Sequence, residues 1–225
     1  MTKRARIIVG IVQLALSMLA AFSFSSVRAL DVDRLRATMQ GLGGRPVLFT
    51  EWRQMIHSFK NAAVAERLKK VNDFFNQKIV FASDEEVWSK SDHWATPMES
   101  LANGKGDCED FVIAKYFTLL NMGIPDSQLR LIYVRARIGG PNSAVQQAHM
   151  VLAYYPSSDP EPLILDNLIS DIRVSSRRQD LRPVFSFNGQ GVFAGSAADS
   201  ILGPGGPGRL SRWQDLLERA RREGF

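Results

Sequence analysis

Cys108, the single cysteine of the 225-residue chain, lies in the run Gly104-Lys105-Gly106-Asp107-Cys108-Glu109-Asp110-Phe111. A helical pattern begins at the cysteine. The thiol therefore sits in a first turn, where the positive end of the backbone dipole favours the thiolate. The Cys108 N–H has no carbonyl partner within such a helix and can face a developing oxyanion. Downstream, His149 stands near the start of the apolar run Ala148–Leu152, and Asp166 ends the apolar run Leu163–Leu165. An acid at one strand end, facing an imidazole on the next strand, fixes its tautomer and stabilises the imidazolium. Cysteine, histidine and aspartate so disposed can form and resolve a thioester. The alternative is bland: a core histidine with its hydrogen bonds met, and an aspartate that caps the turn before Asn167.

The acids around the thiol pull the other way. Asp107, Glu109 and Asp110 disfavour a neighbouring thiolate unless a counter-charge is present. Three carboxylates and the carbonyls of a glycine-bearing loop form an oxygen cage suited to Ca²⁺. Equally, acids at a helix start complement its dipole without any metal. Trp94 offers its indole N–H as a second oxyanion donor, or fixes the loop before Cys108 as a core aromatic. His57 falls in an early helical segment and reads as structural. His93 adjoins Trp94.

These groups need elements to hold them. Residues 30–42 carry a short amphipathic pattern, broken at Gly43-Gly44-Arg45-Pro46. Apolar residues recur at helical spacing over 50–76, predicting one helix. Residues 78–81 suit a short strand and 83–86 a helix start. The cysteine helix spans 108–121 and stops at Met122-Gly123-Ile124-Pro125. Beyond it the period changes to two, predicting strands over 129–138, 148–155 and 163–166, with a further one at 185–188. The first two, joined by a short loop, form an antiparallel hairpin. Residues 189–208, rich in Gly, Ala, Ser and Pro, read as loop. Residues 209–225 form a C-terminal amphipathic helix bearing arginines. It either docks through its apolar stripe or serves a partner or membrane surface.

Residues 1–29 read as a secretory signal peptide, with Lys3, Arg4 and Arg6 ahead of an apolar stretch and a cut after Ala29. The alternative is a retained anchor. The whole chain has 28 basic and 23 acidic residues, and removing the leader leaves 24 basic residues against 23. Such a balance gives no argument for nucleic acid as a partner. The remaining length suits one domain with a sizeable core. A lone cysteine in an exported chain makes no internal disulfide and is exposed to oxidation, so it is either buried and inert or needed.

Trp94-Ala95-Thr96-Pro97, Gly106-Asp107-Cys108-Glu109-Asp110-Phe111, Ala148-His149-Met150-Val151-Leu152 and Leu165-Asp166-Asn167-Leu168 resemble motifs of the bacterial transglutaminase-like cysteine proteases, of the LapG type. The resemblance covers about 49–188 and leaves out the glycine-rich segment and the tail. It implies an α+β fold, with a papain/transglutaminase-like core of helices packed on an antiparallel sheet, in a single catalytic domain over 30–225. It implies Cys108 as nucleophile, His149 as base and Asp166 as orienting acid. It implies bound Ca²⁺, held by the side chains of Asp107, Glu109 and Asp110 and the main-chain carbonyls of Asn103 and Lys105. It further implies a periplasmic endopeptidase that cuts the N-terminal region of a large surface adhesin at an Ala-Ala-type site and so promotes biofilm dispersal. Its partner would be the periplasmic domain of an inner-membrane cyclic-di-GMP receptor. Two other readings of the same residues stand beside this one: a transglutaminase-type acyltransferase, and a non-catalytic periplasmic binding module.

Overall fold

The computed structural model describes residues 30–157, 161–195, 201–202 and 207–225; the leader expected over 1–29 lies outside them. Three helices open the described chain: α1 (Val32–Gly41), α2 (Pro46–Phe59) and α3 (Val64–Lys78). The single helix expected over 50–76 is thus two. A straight helix of that span would be about 40 Å long. It could not lay both apolar stripes on one core. The break at residues 60–63 lets Phe49, Trp52 and Ile56 of α2 and Leu68, Val71 and Phe75 of α3 all reach the interior.

Next come β1 (Val80–Phe81), α4 (Asp84–Trp88), α5 (Pro97–Asn103), β2 (Lys105–Gly106) and α6 (Cys108–Asn121). Thr96 caps α5 by accepting from Glu99 N–H, while Glu99 accepts from Thr96 N–H, a reciprocal capping box. Gly104 then takes φ +66°, the left-handed conformation that a glycine adopts without a Cβ clash. That turn reverses the chain into β2, which pairs in parallel with β1 and delivers Cys108 to the start of α6. Every residue of α6 from Asp110 to Leu119 is buried, so it is the central helix of the molecule, apolar nearly all round.

Strands follow the change of period, among them those expected over 129–138, 148–155, 163–166 and 185–188. They are β3 (Leu129–Arg137), β4 (Gln146–Tyr154), β5 (Leu163–Leu165), β6 (Arg173–Val174), β7 (Leu181–Asn188), β8 (Gly191–Ala194) and β9 (Ile201–Leu202). Among the described residues they form one antiparallel sheet in the order β6-β5-β4-β3-β7-β8-β9. Alternation assigns the faces. Leu131, Met150, Leu152 and Phe187 join the main core with α6, while Ile132, Val134, Val151, Ala153 and Ile164 form a smaller cluster behind the sheet. The segment 189–208, expected to be loop, holds β8 and β9; β8 pairs with the end of β7 and extends the sheet. Gly191 and its neighbours make the turn, and a sheet edge next to Phe187 gives the apolar Val192 and Phe193 a place to bury.

The pairing of β4 is uneven in a way that matters below. It runs against β3 along its whole length but against β5 only from Leu152 to Tyr154. Among the described residues, Gln146–Val151 has no strand on that side.

The arginine-bearing helix α7 (Pro207–Glu223) closes the core instead of decorating it. Trp213, Leu216 and Ala220 are buried, and Trp213 Nε1–H donates to the Asn188 carbonyl at 3.0 Å. The Trp213 ring meets Phe187 edge-on at 5.1 Å. Among the described residues no helix is long and apolar enough to cross a membrane. Trp213→Ala is expected to destabilise the protein by about 3–5 kcal/mol, which lowers Tm by about 6–20 °C for a chain of this size. Thermal unfolding followed by circular dichroism checks this; an unchanged Tm would show that α7 is not an integral layer.

Candidate active site

The N-terminus of α6 meets the sheet at the unpaired half of β4. There the Met150 N–H reaches the Cys108 sulfur, in the place a neighbouring strand would otherwise occupy. The same stretch carries His149, and both residues line one open cleft of about 530 Å³. The His149 ring is buried, and its Nε2 lies 2.8 Å from Asp166 Oδ1. Asp166 follows β5 directly, so the short β4–β5 pairing sets this contact. With Nε2 engaged by the acid, Nδ1 is the nitrogen left to exchange a proton with another group. The structure therefore sets Cys108 and His149 on one cleft and pairs His149 with Asp166 behind it.

Asp166 is fully buried. Burial by itself raises a carboxyl's pKa. The His149 hydrogen bond, the Leu168 N–H at 3.0 Å and the Arg178 guanidinium at 2.6 Å overcome it, and the carboxyl is held down at about 2. Asp166 is thus an anion at any neutral pH, as an orienting acid must be. Asn76 fixes its main chain by donating from Nδ2 to the Asp166 carbonyl at 2.7 Å. Arg178 escaped the sequence reading, because nothing in its local run distinguishes it from Arg177.

The thiol behaves differently from the helix-dipole expectation. Burial, and then the Glu109 and Asp107 carboxylates, push its pKa well above the usual thiol range. Cys108 Sγ donates to Glu109 Oε2 at 3.0 Å. Desolvation and the two close acids outweigh the dipole, which acts with only about half a charge.

The acids themselves are crowded. Burial, then Glu109, Asp110 and Asp84, raise the Asp107 carboxyl to about 9. Burial likewise raises Asp84 and Asp110. Oxygens of Asp84, Asp107 and Asp110 lie within 4.8 Å of one another, as do those of Asp84, Asp92 and Glu109, and ligand atoms of Asp107, Cys108 and Glu109. Asp84 Oδ1 and Asp107 Oδ1 are buried without a hydrogen-bond partner. Such orphaned, mutually repelling oxygens fit a hard cation better than they fit an empty pocket. Of the expected ligands, Asp107 stands in these groups with an unpartnered oxygen, and Glu109 stands in two of them with Oε2 accepting from Cys108 Sγ. Asp110 is tied more tightly: Oδ1 accepts from Ala95 N–H at 2.8 Å and Oδ2 from Asp107 N–H at 3.3 Å, so it also shapes the loop. Val80 N–H and Ala82 N–H donate to the Gly104 and Gly106 carbonyls. Alternation along the ladder then turns the Lys105 carbonyl away from β1. The Lys105 ammonium pairs with Glu86 at 2.6 Å. Asn103 is exposed, and its amide donates to the Glu99 carbonyl at 3.1 Å. The sequence reading missed Asp84 and Asp92, because Ser83-Asp84-Glu85-Glu86 has the pattern of a helix cap, which it also is.

Trp94 lines the cleft and stacks on Phe187 at 5.5 Å, continuing through Phe185 to Tyr133 as an aromatic wall. Its main-chain carbonyl accepts from Arg219 Nη2 at 2.6 Å, so α7 steadies the loop before the cysteine. His57 is exposed on α2. His93 stacks near Trp88 at 4.5 Å and lies 3.4 Å from Glu99, outside the cleft's lining.

A model of one protein family, the bacterial transglutaminase-like cysteine proteinases, matches residues 51–179. A search of curated proteins returns no match. Solved structures of LapG from Legionella pneumophila are similar throughout. The calcium-bound form is 39% identical with a TM-score of 0.70, covering 84% of this chain and 98% of that one. The EGTA-treated form is 38% identical with a TM-score of 0.71, covering 86% and 99%. A further LapG structure gives 38% and 0.69, covering 86% and 99%. With the family's pattern running through more than half its length, and the fold matching over nearly the whole of LapG, this chain belongs to the bacterial transglutaminase-like cysteine proteinases.

Proposed function

We propose that the protein is a calcium-dependent periplasmic cysteine endopeptidase that cuts the N-terminal region of a large surface adhesin at an Ala-Ala-type site, releasing it and promoting biofilm dispersal. One observation carries the reading furthest. His149, paired with Asp166 at 2.8 Å, borders the same cleft as a cysteine at a helix N-terminus. In the reaction, His149 Nδ1 takes the Cys108 proton and the sulfur attacks the scissile carbonyl. The Cys108 N–H, joined by the indole N–H of Trp94 from the cleft wall, holds the oxyanion. His149 returns the proton to the leaving amine, and water then resolves the thioester. Asp166 stays ionised throughout and fixes the imidazole. The aromatic wall of Trp94, Phe185 and Tyr133 narrows the cleft, which suits small residues beside the cut bond.

Asp107 and Glu109, with Asp84 and Asp110 behind them, are the side chains that would hold calcium, joined by the Asn103 and Lys105 carbonyls. Bound there, the cation neutralises the carboxylates that hold the thiol protonated. The likeness to a LapG solved both with calcium and after EGTA treatment supports this. The periplasmic domain of an inner-membrane cyclic-di-GMP receptor is the regulator that fits this role, sequestering the protease until the messenger falls.

Incubation with the N-terminal segment of a large adhesin and Ca²⁺ is expected to give two shorter chains by mass spectrometry, where an acyltransferase would give larger cross-linked species. Cys108→Ala is expected to abolish cleavage while still binding the segment; retained turnover would remove Cys108 as nucleophile. EGTA is expected to stop turnover and added Ca²⁺ to restore it. Asp107→Asn and Asp84→Asn are each expected to weaken Ca²⁺ binding by at least about 10-fold, read by isothermal titration calorimetry independently of activity. Unaltered affinity in both would place the cation elsewhere.

A further inference from the structure

Among the described residues, Arg178 is the one arginine or lysine hydrogen-bonded to the acid of the proposed triad. It lies just past the short 3₁₀ turn Ser175–Arg177, and its backbone is pinned on both sides: its N–H donates to the Ser175 carbonyl at 2.9 Å, and its carbonyl accepts from Leu181 N–H at 3.0 Å. Only 3% of the residue is exposed. Nε and Nη2 grip Asp180 in a fork at 3.0 and 2.8 Å, and Nη2 also reaches Asp166 Oδ2 at 2.6 Å. Val134, Val151, Ile164 and Leu181 wall the small pocket beside it, so its surroundings are largely apolar.

The two oxygens of Asp166 are divided. Oδ1 serves His149 Nε2 and the Leu168 N–H; Oδ2 serves Arg178. A carboxylate can rotate about its terminal bond, and that rotation would swing Oδ1 out of line with the imidazole. With Oδ2 held by a buried fork that is itself anchored on Asp180, the rotation is blocked. Without Arg178, Oδ2 would be a buried anionic oxygen facing hydrocarbon, a state that favours protonation or repacking of the acid.

We propose that Arg178 is a positioning residue: through Asp166 it fixes the plane and tautomer of the His149 imidazole, and so leaves Nδ1 available to the Cys108 thiol. Asp180 completes the device as the outer anchor of the same fork. The inference rests on the Cys108–His149–Asp166 reading and adds to it a requirement for the guanidinium shape, not merely for positive charge.

The test compares wild type, Arg178→Ala, Arg178→Lys, Asp180→Asn and Cys108→Ala as full chains with Ca²⁺ and an adhesin N-terminal segment. Folding is checked by circular dichroism, and His149 is followed by ¹H–¹⁵N NMR of its ring. Arg178→Ala is expected to lower kcat about 10- to 100-fold, the range seen when an outer partner of a site histidine is removed, with KM nearly unchanged. Its Nε2–H resonance should lose the downfield shift of a carboxylate-bonded imidazole, and guanidinium ion added to the buffer should recover part of kcat. Arg178→Lys and Asp180→Asn should show smaller losses of both signals, and they decide the matter if Arg178→Ala does not fold. Wild-type kcat with an unchanged Nε2–H resonance in the folded Arg178 variants and in Asp180→Asn would overturn the inference. Cleavage by Cys108→Ala would instead overturn the triad reading beneath it.

Discussion

The junction of α6 with the unpaired half of β4 is the constraint on which the site depends. A strand left without a neighbour would expose main-chain groups, and a helix start has N–H groups with no partner in its own helix. Here the two meet at one point. The Met150 N–H meets the Cys108 sulfur, and His149 on the same stretch borders the same cleft. The short β5 makes this possible. It ends at Leu165, and the next residue is the acid that meets His149.

Two charge problems converge on that junction and are handled differently. Asp166 is an isolated buried anion, and it is satisfied by directed contacts from His149, Leu168 and Arg178. Asp84, Asp107, Glu109 and Asp110 are a crowd of acids, and the protein leaves an oxygen of Asp84 and an oxygen of Asp107 buried and unmatched. The first arrangement keeps a charge in place; the second creates a demand for an external one. Beneath both lies Lys115, fully buried on α6 with no hydrogen-bond partner for its Nζ, its pKa lowered by burial to about 7 although Asp166 and Asp73 oppose the fall. Its apolar stem lines the helix face as the periodicity indicates, and its head lies within electrostatic reach of Asp166.

The C-terminal helix belongs to the same economy of support. Trp213 and Leu216 bury its apolar stripe. Arg219 bridges from Asp215 to Glu99 and the Trp94 carbonyl, and Glu223 accepts from Thr96 Oγ1 at 2.7 Å. The arginines that read as a basic surface in one dimension are therefore partly struts. They hold the loop that carries Trp94 to the mouth of the cleft.

The residues of the site were legible in the chain because their local surroundings are unusual: a cysteine among acids at a helix start, a histidine in an apolar run, an aspartate closing another. Periodicity likewise marked α6, β3, β4 and β5, since a helix or strand that buries a face must repeat apolar residues at its own period. It merged α2 with α3, because the residues between them break no pattern strongly. It also passed over β8, whose glycine-rich surroundings gain order only from the edge of β7. Distance in sequence hid the rest. Asp84, Asp92 and Arg178 look like a cap residue, a loop acid and one arginine of a pair until the fold sets them beside Asp107, Glu109 and Asp166. Sequence by itself determined which groups could react, since reactivity is a property of residue type and immediate neighbours. Tertiary structure alone decided which charges are buried together, because desolvation and Coulomb energy depend on distances that only the folded chain defines.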